Sequence, residues 1–575
     1  MKHYFNSSIK TILAFLALGL CASCTEDWDN HYSVDPSVVP EQSILQMLIS
    51  NSETSNFVKV LQTTKTYNGK KMVDAVSYYD LLGADQFLTV WAPVNSAMSA
   101  EEWAVYTKAG KTEEENYLVS QRFLKNHIAR FNHPVGKPGD NVTMMSTKRY
   151  RMEKDRIQHS SYIKSNQACS NGILHTVDKA IDYTPNLYEY LTTDPQYKDN
   201  LGAFLASYTK YEIDEEKSVP AGIVDGKMKY VDTVLIETSI LLDKFGYINR
   251  EDSNYNVILP NGEAWVRELS MVLPRFNYGT VEGADSLGWF WANSSLLTDA
   301  FFNMNASSQP YSTTSLDSTI LVSTTYDRQR EMETGKMFHT YFYPFDRHYS
   351  ELIDESTELV ECSNGNLYLC DKWPFDPSYT YDAPIVREAE LGKGRFENTD
   401  VTSTSTETIR RIQYMSDVIW PSDISESKIL IIKGKNSITD KWQVKFDIYD
   451  NLSGYYNIYL VIAPNCINGA VYPPKPNMFT AEVDYYDANG EFQTAFIPNA
   501  RQKPVTLQND VTKMDTLLIA PNVNLSACNL AQSADGRVQV VIDCTITTNK
   551  ISTNSNTMLL DCIYLEPVTA PEDAE

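Results

Sequence analysis

Apolar and polar residues alternate along much of the chain after residue 380. The apolar positions of one such segment are Trp442, Val444, Phe446 and Ile448. The stretch 456–462 keeps this period after a turn-like segment at 451–454. A period of two predicts strands that bury one face, and turns rich in Asn and Gly between such strands predict two packed sheets. We therefore predict an all-β, jelly-roll-like sandwich over residues 381–568, with Trp442 in its core.

Before residue 380 the apolar positions change to a mixture of helical and strand spacing. Apolar residues recur at helical spacing in four segments, which are residues 43–48, 57–61, 187–191 and 201–208. Prolines and aromatic residues interrupt regular patterning at 374–384, where we place a boundary. The fold class predicted for the whole chain is α+β.

An internal repeat organises this α+β part. The pattern C-S-N-G-x-L-x-x-x-D-K occurs at 169–179 and again at 362–372. Upstream of each copy, an apolar strand is stopped by a proline, Pro93 in one copy and Pro260 in the other, and a helix start follows. The same two motifs in the same order predict a duplicated domain with an insertion in the second copy. Asn-Gly predicts a tight turn before a half-buried strand.

These motifs resemble those of the fasciclin domain. The segment 89–97, T-V-W-A-P-V-N-S-A, is similar to its T-x-F-A-P-T-N-x-A-like motif, and 171–178 is similar to its N-G-x-I-H-x-I-D-like motif. The resemblance implies two tandem α+β domains for adhesion and cell-surface binding, at 35–184 and 185–380. The second copy is degenerate, since Asn256 replaces the motif Thr and Tyr368 replaces the motif His.

The resemblance also identifies motif residues, for which we expect mainly structural roles. They are Thr89, Pro93, Asn95, His127, Asn171, Gly172, His175 and Asp178.

The N-terminus predicts export and lipid attachment. Lys2 and Lys10 precede a short apolar run at 12–20, and the small residues Ala22 and Ser23 precede Cys24. This resembles the lipobox of bacterial lipoproteins, which implies cleavage of a signal peptide at 1–23 and acylation of Cys24, with palmitate as one such chain. A plain secretory signal without lipid is the alternative.

An acidic segment at 24–34 follows the predicted lipid site and resembles the surface-export signal of some Gram-negative lipoproteins. A solvated tether is the alternative interpretation of this segment. We therefore expect a lipid-anchored protein of the outer membrane, exposed at the surface. At the other end of the chain, residues 569–575 are expected to form a short tail.

Composition narrows the choice of partners. The 575 residues carry a formal net charge of −25, which repels phosphate backbones and makes nucleic acid an unsuitable partner. The cysteines after Cys24 contain no C-x-x-C pair, which excludes a zinc ribbon, and we expect most of them to be buried free thiols.

No catalytic or metal-binding motif is complete. Lys111 and Thr112 could end a phosphate loop, but Val105 stands where that loop needs a glycine. We predict no catalytic residue, no metal and no cofactor. Trp420, between Ile419 and Pro421, is a candidate for stacking on a sugar ring.

The sequence therefore favours a non-enzymatic surface lipoprotein for adhesion or glycan binding. Its expected partners are the membrane, a polysaccharide or surface glycan, and outer-membrane transport proteins of a glycan uptake system. Two alternatives stay open: a glycoside hydrolase that uses carboxylates in a cleft, and a purely structural envelope protein.

Overall fold

The computed structural model describes residues 40–571 except 69–70, 137–139, 225, 299, 304–356, 375–376, 380, 392–394, 398–400, 409–423, 435–440, 466–472, 533–536 and 546–551. The described residues form a mixed α+β structure. They fall into three parts, the N-terminal region (40–183), the middle region (185–373) and the sandwich (381–571). Within these residues, no helix combines the length and the apolar character that a bilayer crossing requires.

The N-terminal region is built on a seven-stranded sheet. In spatial order its strands are Ile128–Arg130, Leu88–Pro93, Gly172–Val177, Ser160–Cys169, Arg156–Ile157, Arg149–Met152 and Asp140–Thr143. Helices cover it at Ile44–Ser50, Ser55–Thr63, Tyr78–Gly83, Ala100–Thr107 and Glu113–Leu118, with a π-helical turn at Val119–Leu124 and 3-10 turns at Ser52–Thr54, Asn95–Ala97 and Lys125–His127. A hairpin pairs Lys65–Asn68 with Lys71–Ser77.

The middle region has a smaller, four-stranded sheet. Its order is Phe301–Asn303, Tyr255–Pro260, Gly365–Cys370 and Glu358–Cys362. Its helices are Leu187–Thr193, Leu201–Ser207, Ile240–Phe245, Gly262–Val272 and Ala284–Leu297, with a 3-10 turn at Leu273–Phe276. Two hairpins extend from it, pairing Thr209–Ile213 with Leu235–Ser239 and Val219–Val224 with Lys227–Asp232.

Both sheets have the same central pair of parallel strands in the same register. Gly172 lies opposite Leu88 in the N-terminal region, and Gly365 lies opposite Tyr255 in the middle region. At both glycines φ is positive, and an added Cβ would stand within 2.0 Å of the carbonyl oxygen of the opposite residue. Only glycine fits such a close approach of two backbones.

The asparagine before each glycine makes an equivalent set of hydrogen bonds. Asn171 Oδ1 accepts from the N–H of Ile44, the first residue of a helix, and its Nδ2 donates to Leu82 and Ala84 carbonyls. Asn364 Oδ1 accepts from the N–H of Leu187, again the first residue of a helix.

The Nδ2 of Asn364 likewise donates to two carbonyls, those of Ile248 and Arg250. The repeated Asn-Gly therefore joins a helix start, a loop and the central strands in both regions.

A buried lysine joins the N-terminal and middle regions. Lys148, 1% exposed, contacts Glu189 at 2.6 Å and Glu251 at 2.7 Å, and donates to the hydroxyl of Ser363 at 3.2 Å. Its ammonium also lies 5.0 Å from the centroid of the Tyr183 ring. A buried ammonium requires partners of this kind, since desolvation alone would disfavour its charge.

The sandwich consists of two antiparallel sheets. One has the order Val401–Thr408, Lys428–Gly434, Thr557–Val568, Gly454–Ala463 and Asp515–Leu525, with Ile385–Glu388 also paired to Thr557–Val568. The other has the order Arg395–Glu397, Lys441–Asp447, Val538–Thr545, Met478–Tyr486 and Phe492–Ala495, with Leu507–Gln508 also paired to Met478–Tyr486. Short 3-10 turns lie at Pro377–Tyr379, Ala389–Leu391 and Ser425–Ser427.

The inward side chains of the two sheets form one apolar core. As the alternation predicts, Trp442, Val444 and Phe446 belong to it, and Trp442 is 1% exposed. The indole N–H of Trp442 donates to the carbonyl of Asn556 at 3.0 Å. The side chains between these residues must therefore point away from the core.

Candidate functional site

His127 is buried and both of its ring nitrogens have backbone partners. Nδ1 lies 2.7 Å from the carbonyl oxygen of Phe123, and Nε2 accepts from the N–H of Ile181 at 2.9 Å. Desolvation by burial lowers the pKa of His127 to about 4, against the smaller effect of the Phe123 bond. A neutral ring with both nitrogens engaged joins two segments of the N-terminal region and leaves no atom for acid–base chemistry.

His175 has a comparable setting. Its ring stacks on Trp91, with 5.3 Å between centroids and 10° between planes. Nε2 lies 3.2 Å from the carbonyl oxygen of His133, and the N–H of Asn166 donates to Nδ1 at 3.3 Å. Burial lowers the pKa of His175 to about 4. Both motif histidines are therefore neutral at physiological pH.

The other motif residues connect backbone segments. Thr89 Oγ1 donates to the carbonyl of Phe131 at 2.7 Å, and Asp178 Oδ1 accepts from the N–H of Ser161 at 2.7 Å. Pro93 ends the buried strand that begins at Leu88. These contacts are between parts of the N-terminal region itself.

Asn95 follows Pro93 and fastens the next turn to a helix start. Its Oδ1 accepts from the N–H of Asn56, and its Nδ2 donates to the carbonyl of Ser52 and to the hydroxyl of Ser55. The indole of Trp103 donates to the carbonyl of Asn95 at 2.9 Å. Together, the predicted motif residues hold the sheet and helices in place and do not converge on a single open site.

Two predicted site residues lie outside the described residues. They are Cys24, the expected lipid attachment site, and Trp420, the expected sugar-stacking residue. Both therefore stay predictions.

A group of carboxyls lies at the first strand of the sandwich. Ser425 lies between two of these carboxyls. Its hydroxyl donates to Glu388 at 2.5 Å, and its N–H donates to Asp561 at 3.1 Å. Desolvation raises the pKa of both carboxyls to about 7, and neighbouring carboxylates, Glu390 among them, add to the effect.

Within the described residues, no group of three or more His, Cys, Asp or Glu side chains is arranged to hold a metal ion.

Most side chains on the outer face of the second sheet of the sandwich are polar. Cross-strand partners on this face form hydrogen bonds: Gln443 with Asp543 at 2.9 Å, and Gln539 with Asp447 at 2.6 Å. The register places these pairs on neighbouring strands, on the side opposite to Trp442. Each amide or carboxylate is thereby held in one orientation and keeps further hydrogen-bonding capacity.

The polar face continues onto the next two strands. Asp484 accepts from the hydroxyl of Thr494 at 2.9 Å, and Glu482 lies in register between Ala481 and Val483, which point into the core. Desolvation raises the pKa of Glu482, and the negative charges of Asp484 and Asp543 add to that effect. We call the polar side chains on this side of the sheet, Gln443, Lys445, Asp447, Thr480, Glu482, Asp484, Thr494, Gln539 and Asp543, the polar face. Val541 lies among them, between Lys445 and Glu482, and both Val541 and Asp447 are buried.

Two exposed aromatic rings stand at one end of the polar face. Tyr486 and Phe492 are cross-strand neighbours on either side of a tight turn, and their exposed fractions are 45% and 57%. Their rings meet edge to face, with centroids 5.5 Å apart. Rings exposed beside oriented carboxylates and amides can pack on the apolar face of a sugar while its hydroxyls form hydrogen bonds.

Tyr486 and Phe492 are not among the candidates predicted from the sequence. A signal was available in the sequence, because alternation that places Val483 in the core also places Tyr486 outward, directly before the turn-like segment D-A-N-G at 487–490. Their pairing became visible only from the register of the hairpin.

One family model matches part of the chain. The model described as the fasciclin domain matches residues 52–183, so the chain contains a fasciclin domain there. No curated protein sequence matches the chain.

Solved structures similar to this chain include sugar-binding and adhesion modules. The CBM22-1 xylan-binding domain of Xyn10C from Paenibacillus barcinonensis shares 15% identity, with 32% of this chain and 95% of that chain covered and a TM-score of 0.17. The FAS1 domain pair of insect fasciclin I shares 12% identity, with 51% and 90% covered and a TM-score of 0.17. The family 11 carbohydrate-binding module of Clostridium thermocellum, in complex with a β-1,3-1,4-mixed-linked tetrasaccharide, shares 10% identity, with 32% and 98% covered and a TM-score of 0.17.

Proposed function

We propose that this chain is a non-enzymatic glycan-binding protein of the cell surface. The observation that carries the proposal is the exposed pair Tyr486–Phe492 beside the polar face. Aromatic stacking supplies the apolar contact that sugar rings need, and carboxylates held by neutral donors, such as Asp484 with Thr494, accept hydrogen bonds from sugar hydroxyls. No reactive group is required for this role.

The N-terminal and middle regions are proposed to be tandem fasciclin-like domains, at 35–184 and 185–380. The equivalent hydrogen bonds of Asn171 and Asn364, and the common register of the central strands, support a duplication. The second copy has lost the motif histidine, since Tyr368 lies where His175 lies in the first copy. We propose that these domains serve adhesion and carry the sandwich.

The anchor is proposed to be an acyl chain on Cys24 after removal of residues 1–23, in the outer membrane and exposed at the surface. The signal-like sequence pattern supports this assignment. Metabolic labelling with a radioactive fatty acid tests it, because Cys24→Ala should lose the label that the parent chain carries. Equal labelling of both chains would contradict the assignment. Transport proteins of a glycan uptake system are the proposed neighbours there.

Affinity electrophoresis tests the binding surface. Migration of the soluble chain lacking residues 1–24 is measured in gels containing xylan, β-glucan, mannan or starch. A Tyr486→Ala, Phe492→Ala chain should lose the retardation shown by the parent. Phe87→Ala is the matched control, since Phe87 is also half exposed, at 50%, but lies in the N-terminal region. Retardation that survives in the double variant would locate binding elsewhere.

A further inference from the structure

A loop of the middle region contacts the turn that carries the two exposed rings. Gly279, with φ +57°, is held by its N–H, which donates to Asn277 Oδ1 at 3.0 Å. An added Cβ at Gly279 would stand 2.5 Å from the carbonyl oxygen of Ala488 and 3.0 Å from its Cα. On the other side of the turn, the hydroxyl of Thr280 lies 3.6 Å from the Cβ position of Gly490. At Gly279 the two backbones therefore approach closely, and at Gly490 the contact is made by the side chain of Thr280.

Hydrogen bonds around this contact fix the loop to the sandwich. The N–H of Cys528 donates to the carbonyl of Asn277 at 2.6 Å, and the hydroxyl of Tyr278 donates to the carbonyl of Leu530 at 3.0 Å. Tyr278 is 1% exposed, and it packs in one apolar cluster with Leu530 and Cys528 of the sandwich. Such a buried contact restrains the loop in one position relative to the sandwich.

The same turn determines where the rings of Tyr486 and Phe492 stand. Asp487 closes it, because its N–H donates to the carbonyl of Glu491 and its Oδ1 accepts from the N–H groups of Asn489 and Glu491. The N–H of Ala488 donates to Ser526 Oγ at 2.9 Å. Tyr486 and Phe492 are the residues directly outside this closed turn. The orientation of the turn therefore determines the orientation of their backbones.

We propose that Gly279 and its loop position the aromatic pair for glycan binding. The inference rests on the proposed function. It adds that the middle region positions the glycan-binding site and does not only support the sandwich. A closed turn held from two sides keeps both rings oriented before the sugar arrives, which lowers the entropy that binding must overcome. Gly279 is thus a positioning residue and does not itself contact the sugar.

The test compares two glycines of the same loop in the chain lacking residues 1–24. Gly279→Ala introduces the clash with Ala488. Gly283→Ala is the matched control, since Gly283 also has a positive φ, +73°, but an added Cβ there meets nothing within 4 Å. In gels containing xylan, β-glucan, mannan or starch, Gly279→Ala should bind about tenfold more weakly than the parent, and Gly283→Ala should bind like it.

Hydrogen exchange of residues 484–495, measured by mass spectrometry without any sugar, gives a second readout. Exchange should rise in Gly279→Ala and not in Gly283→Ala. If Gly279→Ala does not fold, Tyr278→Phe replaces it, because this substitution removes the hydrogen bond to the Leu530 carbonyl and adds no clash. Tyr278→Phe should show the same rise in exchange and a weaker retardation. If Gly279→Ala, or Tyr278→Phe in its place, shows the same retardation and the same exchange as the parent chain, only the positioning role is overturned. Absence of retardation for the parent itself would instead overturn the proposed function.

Discussion

The Nζ atom of Lys125 lies 3.3 Å from Oδ2 of Asp232, and neither side chain is exposed. Lys125 belongs to the fasciclin domain at 52–183, whereas Asp232 lies on a hairpin of the middle region. The carboxylate also accepts from the N–H of Tyr67 and the hydroxyl of Tyr78, both at 3.0 Å. The hairpin therefore completes the core of a domain that precedes it in the chain.

Removing Asp232 should destabilise the fasciclin domain strongly, because Lys125 would stay buried without its counter-ion. We expect Asp232→Ala to lower the free energy of unfolding by about 3–5 kcal/mol in urea denaturation. Lys108→Met, which breaks the exposed pair of Lys108 with Glu115, is the control and should change it by less than about 1 kcal/mol. Equal effects of the two substitutions would show that the hairpin does not contribute this charge to the core.

Asn171 and Asn364 should be equally important in their two regions. Asn171→Ala and Asn364→Ala each leave two carbonyls and one N–H without a side-chain partner, so each should lower the free energy of unfolding by at least about 2 kcal/mol. Asn489→Ala, on an exposed turn, should have little effect. A large loss in only one region would contradict the proposed duplication of this network.

The equivalence of these asparagines shows what local sequence can predict. Asn-Gly predicted both turns because a positive φ and a close backbone approach leave few alternatives to glycine, and Trp442 was predicted in the core from strand alternation alone. The pair Lys125–Asp232 could not be predicted in this way. It depends on a hairpin that crosses from one region to another, and no periodicity marks which distant residue will approach a buried lysine.

The candidate site was less predictable than the fold. Trp420 was chosen for its loop-like neighbours, and it lies outside the described residues. Tyr486 and Phe492 are neighbours only through the register of their hairpin, and their orientation depends on Gly279, more than 200 residues earlier in the chain. The contact of Gly279 with this turn is a property of packing between regions, which composition and spacing do not encode.

Stability should fall as pH rises through neutrality. The pKa values of Glu388 and Asp561 are about 7 in the folded chain and start from 4.5 and 3.8, so the folded state binds protons more tightly. The resulting stabilisation is fully present below the lower values and is lost as pH rises through 7. The melting temperature of the sandwich should therefore be higher at about pH 5.5 than at about pH 8.5.

The double substitution Glu388→Gln, Asp561→Asn is the control for this pH dependence. It should flatten the difference in melting temperature, because no proton is then taken up on folding at these two positions. A parent chain that melts at the same temperature at both pH values would contradict the raised pKa values.

Charged polysaccharides should bind poorly to the polar face. Asp484 and Asp543 accept from the neutral donors Thr494 and Gln443. The four carboxylates of the polar face outnumber its one lysine, Lys445, so the face keeps a negative charge that repels sulfates and uronates. Heparin and polygalacturonate should not retard the chain in affinity electrophoresis at low salt. Glu482→Gln, Asp484→Asn should weaken this rejection, and strong binding of heparin by the parent chain would show that another surface is used.

We propose that the chain binds neutral glycans and does not cleave them. The most direct test incubates the chain lacking residues 1–24 with xylan, β-glucan, mannan and starch, and measures bound protein and new reducing ends in the same samples. We expect saturable binding to at least one polysaccharide with no increase in reducing ends. Reducing ends that accumulate with time, or no binding to any of the four, would contradict it.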